Sequence, residues 1–129
     1  MTELLYKELS YKLIGAAIEV HKALGPGFLE KTYQRAYETE LKIQEVSFIS
    51  QKRIKMFYKG VDLGFQTLDL VVDDKVIIEI KAIPAILPIH LAQLTSYLKA
   101  SDYQLGILIN FGARSLQHKR IALTRISRN

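Results

Sequence analysis

The chain has 129 residues, 49% hydrophobic and 24% charged, a composition that predicts one folded domain over residues 1–129 and excludes wholesale disorder. No apolar run reaches the ~20 residues that span a bilayer, the first residues lack the pattern of a secretory signal, and the absence of cysteine excludes disulfides and zinc–thiolate sites. The formal net charge is +5, and a basic surface favours polyanionic partners, of which nucleic acid is the commonest.

The first part of the chain predicts two helices. Apolar residues recur at helical spacing over residues 2–24, and Gly25, Pro26 and Gly27 then end this helix. A second helix is expected from about residue 29 to residue 44, with Tyr33 on its buried side.

From residue 46 onward the pattern is typical of strands, because β-branched and aromatic residues alternate with polar ones. Three strands are expected at residues 46–58, 61–72 and 75–83, with a turn at Lys59 and Gly60 and a bulge at Gly64. A helix at residues 89–99, a buried strand at residues 105–110 and a short strand at residues 120–126 follow. A helix between the third and fourth strands indicates a crossover connection, so the sequence predicts an α/β fold with a mixed sheet flanked by helices.

The segment from Asp69 to Lys81 places charged residues inside two strands that are otherwise almost wholly apolar. Glu79 and Lys81 are two apart on one strand, so their side chains face the same side. A three-residue turn at residues 73–75 would place Asp69 opposite Glu79, whereas a two-residue turn would send Asp69 to the other face. Because buried charges are costly unless they are paired or bind a metal, we expect the three side chains to converge.

Two carboxylates and an ammonium in one place suit metal-assisted hydrolysis of a phosphodiester bond. Asp69 and Glu79, with the carbonyl oxygen of Ile80, would be oxygen ligands of Mg²⁺, for which Mn²⁺ is a substitute. Lys81 would orient the attacking water or stabilise charge that grows on the phosphate. The alternative interpretation is an interstrand ion pair on a solvated face.

This arrangement resembles the PD-(D/E)XK nuclease superfamily, in which a hairpin presents Asp and Glu-x-Lys between flanking helices. The following helix contains Gln93 and Tyr97, which match the Gln-x-x-x-Tyr motif of one branch of that superfamily. Residues four apart share a helix face, so both side chains would face the site; a core tyrosine and a surface glutamine are the alternative. The resemblance implies a restriction-endonuclease-like core.

The chain is similar over most of its length, as far as Arg120, to the GxxExxY proteins, a small bacterial group. The motif that names the group runs from Gly27 to Tyr33 and follows a Leu-Gly-Pro-Gly approach. Further group motifs are Ile89-His90-x-x-Gln93, Tyr97-Leu98-Lys99 and Asn110-Phe111-Gly112. The resemblance implies that Glu30 adds a metal or water contact; the alternative is a carboxylate that complements the dipole of its helix.

These features together predict a Mg²⁺-dependent DNA nuclease with the site residues Asp69, Glu79, Lys81, Glu30, Gln93 and Tyr97. Residues 103–129 contain five basic residues and no acidic one, a distribution that predicts DNA contacts, although a solubilising tail is the alternative. The expected DNA contacts are Lys99, Arg114, Lys119 and Arg120.

A catalytically silent nucleic-acid-binding or assembly module on the same fold is the rival prediction. A resolvase-like enzyme is a third alternative, and it would need a homodimer to cut two strands symmetrically. We expect a cytoplasmic protein, with which the absence of cysteine is compatible. No base-reading motif is visible. The sequence therefore leaves open whether the substrate is DNA or RNA, and whether the enzyme is an endonuclease or an exonuclease.

Overall fold

A mixed sheet of five strands in the order β1-β2-β3-β4-β5 forms the centre of the computed structural model, which describes residues 5–123. The strands are Phe48–Tyr58 (β1), Val61–Val72 (β2), Val76–Lys81 (β3), Leu105–Asn110 (β4) and Gln117–Ala122 (β5). The helices are Lys7–Leu24 (α1), Glu30–Ile43 (α2) and Pro88–Ala100 (α3). Within residues 5–123, no helix combines the length and the apolar character that crossing a membrane requires.

The pairing of the strands confirms the predicted mixed sheet. β3 and β4 are parallel, and the other neighbouring strands are antiparallel. Parallel neighbours need a crossover connection, and α3 provides it between β3 and β4.

Helices cover both faces of this sheet. Helices α1 and α2 pack on one face, called here the α2 face, where Leu13 and Tyr37 contact a cluster that includes Ile78 and Ile80 of β3. Helix α3 packs on the other face, the α3 face, in a cluster that includes Ile77. Because side chains alternate along a strand, Glu79 and Lys81 belong to the α3 face with Ile77.

The β1–β2 hairpin has the turn and the bulge that the sequence predicts. Lys59 and Gly60 both have positive φ angles, of 49° and 81°, as a two-residue hairpin turn requires. Farther along, the partner of β1 shifts from Phe65 to Asp62, and Gly64 in the bulge between them has a φ of 97°.

Several predicted ends differ from the structure by two or more residues, among them the start of β1, which is Phe48 instead of residue 46. Helix α1 begins at Lys7, and the predicted residues 2–4 lie outside the described part of the chain. Strand β3 ends at Lys81 instead of residue 83, because the side chain of Asn110 binds the N–H and the carbonyl of Ile83, both at 2.9 Å. Strand β5 begins at Gln117 instead of residue 120, because it pairs along the whole of β4; residues 124–126 lie outside the described part.

Candidate functional site

The candidate site lies in a fork where β2 and β3 separate. The turn at residues 73–75 has three residues, and the register that it gives places Asp69 opposite Glu79. Backbone pairing between the two strands stops one position earlier, at Leu70 and Ile78. Beyond that pair, the N–H of Ile80 donates to Asp69 Oδ2 at 2.8 Å, and the N–H of Asp69 donates to Glu79 Oε1 at 3.4 Å. Each carboxyl therefore takes the place of a backbone acceptor on the opposing strand.

Strand β2 changes the direction of its side chains at Asp69. Leu70 packs on the α2 face and Leu68 on the α3 face, although residues two apart on a regular strand share a face. On β1, the residue across from Asp69 is Gln51, which is skipped by the pairing and has a φ of 55°. This irregularity lets Asp69 line a groove beside α2 while it also meets Glu79 in the fork.

Burial and mutual repulsion dominate the electrostatics of the fork. Burial, since the residue is only 6% exposed, and then the charge of Asp69 raise the pKa of Glu79 to about 8. Burial also raises the pKa of Asp69, against the hydrogen bond from Ile80 and the charge of Lys81. The two carboxyls therefore resist being ionised together, and a cation in the fork would relieve that cost.

Helix α2 brings a third carboxyl to the fork. Glu30 is the first residue of α2, and its pKa is raised by burial and by the charge of Asp69. One turn later, Gln34 Nε2 donates to the carbonyl oxygen of Asp69 at 3.1 Å and so anchors β2 at the kink. Gln34 was not among the site residues predicted from the sequence, although its place on the same helix face as Glu30 was an available signal.

Tyr33 fixes the turn that positions Glu30. Its hydroxyl donates to the carbonyl of Gly25 at 2.5 Å and accepts the N–H of Phe28 at 3.2 Å. The ring is fully buried, as expected, and stacks on Phe111 with centroids 4.9 Å apart. Gly27 has a φ of 114°, which favours glycine. The motif from Gly27 to Tyr33 thus has a structural explanation, which is a tight turn held by a buried hydroxyl.

Helix α3 closes the other side of the fork. Lys81 Nζ donates to Gln93 Oε1 at 3.4 Å. Tyr97, one turn beyond Gln93, is 9% exposed, and its pKa is raised by burial and then by the charges of Glu79 and Asp69. His90 caps the helix, since its Nδ1 accepts the N–H of Leu87 at 2.9 Å. Gln93 and Tyr97 therefore both border the fork.

Asn110 holds the loop that joins β3 to α3. It is fully buried, and besides its two bonds to Ile83, Oδ1 accepts the N–H of Gly112 at 3.0 Å and Nδ2 donates to Gln117 Oε1 at 3.0 Å. This role of Asn110 was not predicted from the sequence, although a polar residue at the end of an otherwise apolar strand was a signal for it.

The carboxyls of the fork suit a divalent cation only with help from other oxygens. Among residues 5–123, no three Asp, Glu, His or Cys side chains are grouped closely enough to hold a metal ion. Mg²⁺ is nevertheless often bound by one or two carboxylates, with waters and phosphate oxygens in its remaining positions. Asp69 and Glu79 fit that pattern, because they are hard oxygen donors whose joint ionisation is unfavourable without a cation.

The four predicted DNA contacts do not form one surface. Arg120 donates to Ser10 Oγ at 3.5 Å and to the carbonyl of Leu5, so it joins β5 to α1. Lys119, its neighbour on β5, points to the opposite face of the sheet. Lys99 and Arg114 are exposed.

Comparison with known proteins gives a family and a fold. A protein-family model described as the PD-(D/E)XK nuclease superfamily matches residues 7–121. No curated protein matches the sequence. The protein in "Crystal structure of SSO0001" has a similar structure, with a TM-score of 0.59 and 19% identity over 95% of this chain and 62% of that one. At that identity the likeness shows the fold alone, which is a restriction-endonuclease-like core, and the chain spans less than two thirds of SSO0001.

Proposed function

Because the chain belongs to the PD-(D/E)XK nuclease superfamily, we propose that it is a metal-dependent nuclease that hydrolyses phosphodiester bonds in DNA. The observation that carries this proposal is the fork, in which the half-buried carboxyl of Asp69 and the buried carboxyl of Glu79 lie beside the ammonium of Lys81. The motif from Gly27 to Tyr33 supports the finer assignment to the GxxExxY group.

Asp69 and Glu79 would hold Mg²⁺ or Mn²⁺, and the carbonyl of Ile80 would be a further ligand. The bound ion would neutralise phosphate charge and lower the pKa of a water molecule. Glu30 lies near Asp69 at the mouth of the fork, where it would orient a water molecule.

Lys81 would stabilise charge on the phosphate or orient the attacking water. Gln93 would hold its ammonium in place through the hydrogen bond to Nζ. Tyr97 would exclude water from the buried side of the carboxyls.

A cleavage assay with Lys81→Ala tests the proposal. Purified protein is incubated with single-stranded and duplex DNA and with Mg²⁺ or Mn²⁺, beside a Lys12→Ala control that removes an exposed lysine from α1. Loss of a group that stabilises transition-state charge lowers rates by about 100-fold or more, so Lys81→Ala should lose cleavage and the control should keep it. Equal cleavage by Lys81→Ala and wild type would indicate contamination, and no cleavage of any substrate would remove the support for catalysis.

A catalytically silent nucleic-acid-binding module is the second candidate. Two observations favour it: no three metal-binding side chains are grouped within residues 5–123, and the raised pKa of Glu79 disfavours the ionised carboxylate that a metal needs. It predicts salt-sensitive DNA binding that Glu79→Gln does not change, and no binding of Mn²⁺ in a calorimetric titration. Heat of Mn²⁺ binding that Glu79→Gln abolishes would exclude it.

The same proposal includes two further points: the substrate is DNA, and the protein is located in the cytoplasm. The superfamily implies a nucleic-acid substrate, and a basic chain without cysteine is compatible with both. Replacing DNA by RNA of the same sequence in the cleavage assay tests the choice of nucleic acid.

A further inference from the structure

The β1–β2 hairpin extends away from the rest of the sheet. Strand β2 pairs with β3 only through residues 70–72, so residues 52–67, called here the hairpin arm, pair only within the β1–β2 hairpin. At ~3.3 Å per residue, the turn at Lys59 and Gly60 lies about 25–30 Å from Asp69 along the strand. Asp69 therefore stands at the base of a long arm.

The composition of the hairpin arm favours a polyanion with apolar faces. Residues 52–67 contain four basic residues and one acidic residue, Asp62. Five large apolar side chains of the arm are 48% to 63% exposed: Phe57, Tyr58, Val61, Leu63 and Phe65. An exposed apolar patch of this kind marks an interaction surface.

Cations and aromatic rings share one face of the arm. The guanidinium of Arg53 lies 4.3 Å from the ring centre of Phe65, and Lys55 Nζ lies 2.6 Å from a carboxylate oxygen of Asp62. In the strand register, Phe57 pairs with Asp62 and therefore points to the same side.

Near the base of the arm the opposite face is covered, whereas toward the turn Tyr58 and its partner Val61 are exposed on that opposite face. Ile54 packs against the α3 cluster, and Lys52 Nζ donates to the hydroxyl of Tyr103 at 2.6 Å. The face with Arg53, Lys55 and Phe57 is therefore the α2 face by alternation.

On this side the arm leads into the groove beside α2. The groove has a volume of about 630 Å³, and Asp69 lines it at the base of the arm. Helix α2 contributes two basic residues, Lys31 and Arg35, and two acidic ones, Glu30 and Glu38, to the groove wall. A strand that follows the free face would thus reach Asp69 and Glu30, the two carboxyls of the fork that line the groove.

We propose that the free face of the hairpin arm binds an unpaired nucleic-acid strand and leads it to the fork. This inference rests on the proposed nuclease function and narrows its substrate to single-stranded or locally unpaired nucleic acid. Cations of the arm contact phosphates, and its rings stack on bases. Stacking needs a free base face, which a base inside a duplex does not offer. An arm of this length covers on the order of four nucleotides, at the lower end of the range for single-strand-binding folds.

Binding measurements on arm variants test the inference. Fluorescence anisotropy with a labelled 20-nucleotide oligothymidylate and a 20-base-pair duplex, both in EDTA, separates binding from cleavage. The ring variant Phe57→Ala/Phe65→Ala, which removes two exposed rings of the free face, should raise the Kd for the oligothymidylate about 10-fold or more. The charge variant Arg53→Gln/Lys59→Gln should make the negative slope of log K against log salt shallower by about 1.4, for two lost phosphate contacts. The matched control Tyr11→Ala/Lys12→Gln, on the exposed side of α1, should bind like wild type.

The outcomes separate this inference from the nuclease proposal. Wild-type binding by both arm variants, or a duplex bound as tightly as the single strand, overturns the role of the arm and leaves the nuclease proposal standing. A change of sedimentation from dimer to monomer with unaltered binding also overturns it and makes the arm a contact between copies. Weakened binding by the arm variants, with no cleavage of any nucleic acid, supports the arm and rejects the nuclease. If the ring variant does not fold, by circular dichroism, the salt slope of the charge variant decides.

Discussion

Single residues of the fork carry their charge at a cost that other contacts offset. Asp69 is half-buried and Glu79 is buried. Each carboxyl accepts a backbone N–H group, and Lys81 adds a positive charge. The alternation along β3 predicts from sequence that Glu79 and Lys81 share a face. The position of Asp69 depends on the length of a turn and on a kink in β2, so the sequence leaves two alternatives for it.

The raised pKa of Glu79 predicts how the free energy of unfolding depends on pH. Between pH 4.5, the ordinary pKa of a glutamate, and the raised pKa of about 8, the folded protein binds a proton that the unfolded chain releases. Without metal, the free energy of unfolding therefore falls as pH rises through this window. Glu79→Gln removes the dependence, so the variant should match wild type near pH 4.5 and exceed it above pH 8, by on the order of a few kcal/mol at most.

Urea denaturation in EDTA across that window measures this effect. The control variant is Gln66→Glu, which adds a carboxyl at an exposed position of β2. A stability difference between Glu79→Gln and wild type that stays constant with pH would show that burial does not control the protonation of Glu79.

At the scale of elements, the ends of β3 and β4 are fixed by one loop. Asn110 binds both backbone groups of Ile83, and Gly112 packs directly on the backbone of Ala82 and Ile83. This loop connects Lys81 to α3, which carries Gln93 and Tyr97. The position of α3 relative to Lys81 therefore depends on the close approach of the Gly112 backbone to the backbone of Ala82 and Ile83.

Two glycine-to-alanine changes should have effects of opposite sign. A Cβ at Gly112 would overlap the backbone of Ala82 and Ile83, which cannot move aside as a flexible side chain can, so Gly112→Ala should cost about 1–3 kcal/mol. Gly15 lies within α1 and has no neighbouring atom within 4 Å of such a Cβ. Gly15→Ala should therefore stabilise the protein by about 0.5–1 kcal/mol. Chemical denaturation measures the free energy of unfolding of both variants. If both substitutions destabilised the protein, the predicted opposite signs would be wrong.

At the scale of the whole molecule, metal binding and folding should be linked. A ligand that binds only the folded state stabilises it by about 2.7 kcal/mol at one hundred times its Kd. Mn²⁺ should therefore raise the Tm of wild type, and more at pH 8 than at pH 6, because the carboxyls must be ionised to bind it. Asp69→Asn should lose the increase, while Asp102→Asn, which changes an exposed carboxyl, should retain it. An equal rise of Tm in Asp69→Asn would place the metal elsewhere.

The sequence by itself determined the order and type of the elements, the mixed α/β sheet and the shared face of Glu79 and Lys81. These properties follow from periodicity within one segment and from the rule that parallel strands need a crossover, so no distant contact is required to infer them. The expected starts and ends of α1, β3 and β5 were less accurate, because the ends depend on contacts such as that between Asn110 and Ile83.

Only the tertiary structure decided how β2 bends at Asp69, that Gln34 anchors this bend, and that Arg120 contacts α1. Each depends on partners far apart in the chain: Gln34 and Asp69 are 35 residues apart, and Arg120 and Ser10 are 110 apart. Such contacts are set by the packing of whole elements against one another, and no local pattern of residue types records them.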